Sequence, residues 1–108
     1  MISEFPKGAK FSFTNEVDYS SGGIVSKNVL KRPVGNISLF AFDKGEGLSE
    51  HTAPFDAMVQ VVEGKARIII GGTPHDLEAG ETIIMPANIS HALQATERFK
   101  MVLTMIKE

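Results

Sequence analysis

Apolar and polar residues alternate along most of this chain in short runs of period two, and the runs are broken by glycine, proline and asparagine. Such a pattern predicts strands, because successive side chains of a strand point to opposite faces. Residues 36–43 (NISLFAFD) place Ser38, Phe40 and Phe42 on one face and Ile37, Leu39 and Ala41 on the other, both largely apolar. A strand covered on both sides has this character. Residues 57–62 (AMVQVV) and 65–70 (KARIII) read as two strands joined by Glu63-Gly64, since a two-residue glycine-containing link between β-rich runs is a hairpin signal. Further strands are predicted over 75–77, 82–85 (TIIM), 91–95 (HALQA) and 99–106 (FKMVLTMI), with turns at 71–74, 78–81 and 96–98.

The first third is less regular. Phe11-Ser12-Phe13-Thr14 alternates as a half-buried strand does, and Ile24-Val25 with Val29-Leu30 predicts a short strand that Lys31-Arg32-Pro33 ends. Residues 44–50 are rich in glycine and charge and read as a loop leading to His51. No window carries apolar residues at helical spacing between capping signals, so helix is not expected. Turns about every 8 to 12 residues fit an all-β sandwich or barrel. Residues 1–108 are expected as one domain. Residues 1–23, which hold three of the seven phenylalanines, are expected as an arm or edge strand packed on the barrel or on a second subunit.

Composition changes this picture only by exclusion. The 108 residues are 43% hydrophobic and 22% charged, which is ordinary for a globular chain, and the formal net charge of -2 comes with scattered Lys and Arg, so nucleic acid is not an expected partner. There is no cysteine, which removes disulfides, thiolate metal sites and a thiol nucleophile. No apolar stretch approaches the roughly 20 residues of a membrane span, and the opening residues lack a leader pattern, so the expected location is cytoplasmic, away from the membrane. Ser20, Ser21, Ser26 and Ser38 sit in no nucleophile elbow, and no glycine-rich loop opens a helix.

Two stretches carry the remaining chemistry. In the first, Gly45 is followed after five residues by His51, then Pro54, and the run closes on Glu63-Gly64. In the second, Gly80 is followed after five residues by Pro86 and after four more by His91. These spacings resemble the two motifs of the cupin superfamily, in its small single-domain form. The resemblance implies an all-β fold, a double-stranded β-helix or jelly-roll barrel of two antiparallel sheets. It also implies a metal held by His, His and Glu of the first motif and His of the second. Here His51 and His91 stand at the first and last of those positions, Ala53 at the second histidine and Ala57 at the glutamate. Asn88 stands where the pattern has glycine, and asparagine tolerates the positive φ that such a turn needs.

Firm binding of a transition metal generally takes at least three protein donors, and two histidines fall short of that. Asp56 is the nearest carboxylate and the candidate third ligand, although its parity is opposite to that of Ala57. On this reading the two imidazoles are hydrogen-bonded interior groups or partners of a bound ligand, or they hold zinc, nickel, manganese or iron weakly, completed by water or substrate. Replacement of two large polar side chains by methyl groups leaves space, and cavities in small barrels commonly hold one small ligand. His51, His91, Ala53, Ala57, Phe40, Phe42, Met85 and Met101 are the candidate lining of that space. Met58, Met105 and Phe99 are further pocket candidates, with plain core packing as the alternative. His75 is expected at an exposed hairpin without a catalytic role. The expected function is a barrel that binds a small organic ligand beside a degenerate metal site. The alternative is a metal-dependent isomerase, decarboxylase or dioxygenase that uses His51 and His91 with a third donor. Apolar outer strand faces give a reason to form a homodimer.

Overall fold

The computed structural model describes residues 4–107, so the first three residues of the expected 1–23 arm lie outside it. Eight strands follow one short helical turn: α1 (Phe13–Glu16), β1 (Ile24–Arg32), β2 (Gly35–Phe42), β3 (Gly47–His51), β4 (Asp56–Ile70), β5 (Thr73–Glu78), β6 (Thr82–Met85), β7 (His91–Gln94) and β8 (Phe99–Ile106). All pairings are antiparallel. One sheet runs β1-β2-β8-β4-β6, and the other runs β3-β7-β4-β5. The chain is thus an all-β jelly-roll barrel of two antiparallel sheets.

Strand β4 belongs to both sheets, and this corrects the hairpin expected at Glu63-Gly64. The strand runs unbroken for 15 residues. Its first half pairs with β6 and β8, its second half with β5 and β7. A register shift between Val61 and Glu63 and a φ of 81° at Gly64 mark a β-bulge, which bends the strand from one sheet into the other. A Cβ on Gly64 would meet the Arg98 carbonyl oxygen at 1.7 Å. Glycine is therefore required by its backbone angle and by the close approach of β8 alike. The true hairpin comes later, at Gly71-Gly72, and the expected turn residues Thr73 and Pro74 already pair with Ile70 and Ile69 as part of β5.

Three other expectations change. Phe11–Thr14 forms no strand; instead Phe13–Glu16 makes a single helical turn, and Phe11 packs edge-on against Phe5 and Phe13 at centroid distances of 4.8 and 5.3 Å. Clustering of the aromatic rings outweighs the local alternation, since no neighbouring strand supplies a hydrogen-bonded ladder there. β1 is longer than the short strand expected, because β2 pairs with it throughout and a bulge at Val29 absorbs the irregular pattern. The 44–50 stretch is loop only to Glu46; from Gly47 it pairs with β7 as β3.

The period-two reading of β2 is realised as two cores. Phe42 and Phe99 stack at 4.5 Å inside the barrel with Val59, Val61, Ile68, Leu77, Leu93 and Met101. On the outer face, Leu39, Ala41 and Val102 are buried beneath Val17 and the partly buried Phe5, Phe13 and Tyr19. Lys100 anchors that cover. Its side chain is buried and donates to the Thr14 carbonyl at 2.6 Å, faces Glu63 at 3.6 Å and lies over the Tyr19 ring. The Tyr19 hydroxyl donates to Glu63, and burial followed by that carboxylate pushes the phenol well above its usual range. Asp43 closes the other end of the arm. It accepts from the Gly22 amide and from Arg98, and these bonds hold its carboxyl at about 2.

Two glycines with similar φ separate the effect of backbone angle from that of close approach. Gly64→Ala is expected to cost about 3 kcal/mol in denaturant unfolding, because strain and a backbone collision add. Gly72 has a φ of 84° but nothing within 4 Å of an added Cβ, so Gly72→Ala is expected to cost only about 1 kcal/mol. Equal losses for the two variants would refute the crossing role of Gly64.

Candidate functional site: a histidine pair at the mouth of an apolar cavity

His51 ends β3 and His91 begins β7, and the two are Cα partners in the register of that strand pair. Directly opposed residues share a face, so both rings enter the same space. Their centroids are 4.4 Å apart, edge to face. His91 is buried and His51 exposed, so the pair lies across the boundary between interior and solvent.

Each ring is oriented by its own backbone. His51 Nδ1 lies 2.8 Å from the Ser49 carbonyl and His91 Nδ1 lies 3.2 Å from the Ile89 carbonyl. A carbonyl only accepts, so Nδ1 carries the proton in both rings, and in the neutral form Nε2 is the acceptor. The loop that leads to His91 is fixed from two sides. The Asn88 amide donates to the Ala53 carbonyl and the Ala87 amide to Asp56 Oδ1, each at 2.8 Å, and Asn88 takes the left-handed conformation with φ 66°.

Behind the rings lies a cavity of about 80 Å³, lined by Leu48, His51, Ala53, Ala57, Met85, His91, Leu93, Met101, Leu103 and Met105. The structure brings together six of the eight candidate residues: both histidines, both alanines, Met85 and Met101. Phe40 and Phe42 are not among the lining residues. Phe42 is spent in the stack on Phe99, with Phe40 beside it at 6.0 Å and opposite Met101 in register, so these rings pack the core next to the cavity without lining it. Of the further candidates Met105 lines the cavity, Phe99 is wholly buried core, and Met58 faces the other way, paired with exposed Ile84. His75 is half-buried on β5, opposite Ile68. Leu48, Leu93 and Leu103 are the lining residues not anticipated. A signal for two of them was present, because Leu93 is two residues from His91 and Leu103 lies midway between Met101 and Met105.

The donor set does not match a four-ligand divalent centre. Ala53 and Ala57 contribute methyl groups. Asp56 uses its carboxylate on the Ala87 amide and does not line the cavity. Among the described residues no group of three or more His, Cys, Asp or Glu side chains is placed to hold a metal ion.

Fold and site together define a small jelly-roll barrel with an apolar interior and a polar pair at its mouth. Residues 38–107 match the model of the cupin domain, and the chain belongs to the cupin family. Among solved structures it is similar to a conserved protein of unknown function from Streptococcus pyogenes, with 34% identity, a TM-score of 0.93 and coverage of 99% of this chain and 94% of that one. It is also similar to a cupin 2 conserved barrel domain protein from Leptotrichia buccalis, with 42% identity and a TM-score of 0.87. That match covers 90% of this chain but 47% of the other, so this chain spans about half of that relative. A cupin superfamily protein from Desulfitobacterium hafniense, at 23% identity and a TM-score of 0.91 over 100% of this chain and 99% of that one, shares the fold. The comparison with curated proteins gave no match. No helix among the described residues is long and apolar enough to cross a membrane.

The assigned tautomers are open to direct measurement. Long-range proton–nitrogen correlation spectra of the neutral rings are expected to show Nδ1–H and unprotonated Nε2 for both His51 and His91. An Nε2–H signature at either ring would contradict the backbone tether.

Proposed function

We propose that this cupin binds a small organic ligand, with its apolar part in the cavity and its polar end on His51 and His91. The observation that carries the reading is the placement of two backbone-oriented imidazoles at the mouth of an otherwise apolar cavity. Ligand sites commonly combine apolar walls with a few placed polar groups. With Nδ1 committed to carbonyls, Nε2 presents acceptors, so the complementary head group is a donor: a hydroxyl, an amine or a protonated acid. Size restricts the rest. At about 80 Å³ the cavity is well below the ~300 to 1,000 Å³ of drug-sized sites and below the ~150 Å³ that accepts benzene, which favours a buried tail of about three or four carbons.

A series of linear alcohols and amines, followed by methyl NMR of the methionines, tests this. Binding is expected to peak at short chains, to weaken at least tenfold in His51→Ala, and to vanish in Ala57→Ile, which fills the cavity. Methionine methyl signals that stay unmoved across the whole series would reject the reading.

We further propose that the protein is a homodimer through the outer face of the larger sheet. Ile37, Thr104, Met58 and Ile84 form a row of direct cross-strand neighbours there, flanked by exposed Val34 and Ile106. An uncharged row of this kind suits a self-complementary two-fold contact. Light scattering is expected to give twice the chain mass for the wild type and the chain mass for Ile84→Glu/Ile106→Glu. A monomeric wild type at micromolar concentration would refute it.

A further inference from the structure

Residues 5–11 of the arm (FPKGAKF) contain two lysines and no acid, in a chain whose formal net charge is -2. The segment turns at Lys7-Gly8 and brings Phe11 back onto Phe5. An open groove of about 420 Å³ results, walled by Phe5, Phe11 and Phe13 of the arm and by Val29, Leu30 and Ile37 of the sheet. Lys7 is the one charged residue in its lining, and exposed Lys10 lies between two further lining residues, Ala9 and Phe11. Neither lysine enters an ion pair among the described residues. Glu4, the acid that precedes Phe5, is already held by Arg32 at 2.6 Å and by the Lys31 amide at 2.8 Å.

We infer that this groove binds a single-chain aliphatic carboxylate, a fatty acid, with its chain along the phenylalanine rings and its head group at Lys7 and Lys10. An apolar trough with charge of one sign at its rim complements an amphipathic anion. Volume sets the chain length. Scaled from the ~150 Å³ that accepts the six carbons of benzene, about 420 Å³ holds a chain of about twelve to sixteen carbons.

Two other occupants fit the same surface less well. A peptide strand would need a free sheet edge. Along this part of β1 the edge is taken, because the Val29 carbonyl accepts from the Phe5 amide and the Lys31 amide donates to Glu4. A bilayer takes up apolar side chains that project from a surface. Here the rings wall a depression, in which Phe11 is 42% exposed. An acyl chain needs no hydrogen-bond partner and fills such a depression.

The groove shares no lining residue with the interior cavity, and it meets the proposed dimer face only at Ile37. Each site can therefore fail without the other.

The test is calorimetric titration of the whole chain with sodium laurate below its critical micelle concentration, alongside methyl NMR. One laurate per chain is expected, with shifts of the Val29 and Leu30 methyl signals and none of Met101, which is wholly buried inside the barrel. Dodecyltrimethylammonium, with the same tail and the opposite charge, is expected to bind at least tenfold more weakly. Lys7→Glu/Lys10→Glu is expected to weaken laurate binding at least fivefold at low salt, and the difference narrows as salt is added because exposed charges are screened. Phe11→Ser is expected to weaken it at every salt concentration. Absence of laurate binding to the wild type, equal affinity for the ammonium, or shifts of Met101 in place of Val29 and Leu30 would overturn the proposal. So would retention of the chain on phosphatidylglycerol vesicles without binding of free laurate, which would assign the surface to a membrane. All four are read on the wild type and do not depend on any variant folding.

Discussion

The structure depends on one backbone passage, the point at which β4 leaves the larger sheet and enters the smaller one. A strand of 15 residues can serve both sheets only if it bends, and the bend is made at Gly64, where a left-handed backbone angle coincides with the carbonyl of Arg98. The bulge leaves β4 paired to β8 on one side of the bend and to β7 on the other, so the two sheets share a single covalent spine. That spine sets the separation of the sheets. In doing so it sets the space between Ala57 on one and the His51–His91 pair on the other.

A barrel of this size has two surfaces to bury, and the chain meets each differently. The inner core closes through stacked Phe42 and Phe99 and the branched side chains of β4. The outer face of β2 and β8 is closed by the arm, which is held by a buried lysine, a tyrosine and a carboxylate rather than by strand pairing. Burying Lys100 would be costly if it stood alone. The Thr14 carbonyl, Glu63 and the Tyr19 ring meet it, and no buried side-chain polar atom among the described residues lacks a partner. The arm covers only part of that face, and the row from Ile37 to Ile84 remains open beside it.

The site is a product of subtraction. Where the family pattern implies four donors, two are methyl groups, and the released space is lined by leucine, methionine and alanine with imidazoles only at its mouth. A space without the carboxylate and the second imidazole favours apolar tails over doubly charged ions, because such ions find no counter-charge there while an apolar tail needs none.

Much of this was legible in the residues themselves. Period-two alternation located β2, β6 and β8; the family resemblance carried by His51, Pro86 and His91 implied the barrel and an interior shared by both histidines and both alanines, while Met85 and Met101 were candidates only as methionines of predicted strands. Those features are local, since alternation and spacing act within a strand or a short loop. What the sequence could not decide was non-local. Glu63-Gly64 has the same local signature whether the chain reverses or merely kinks, and only the β8 backbone lying against Gly64 selects the kink. Phe11-Ser12-Phe13 alternates like a strand but finds no ladder partner, so aromatic packing prevails. Phe40 and Phe42 share the inward face with the cavity residues, yet Phe42 stacks on Phe99 with Phe40 beside it, and both belong to the core. Parity along a strand determines which way a side chain points; only the three-dimensional meeting of strands distant in sequence determines what it points at.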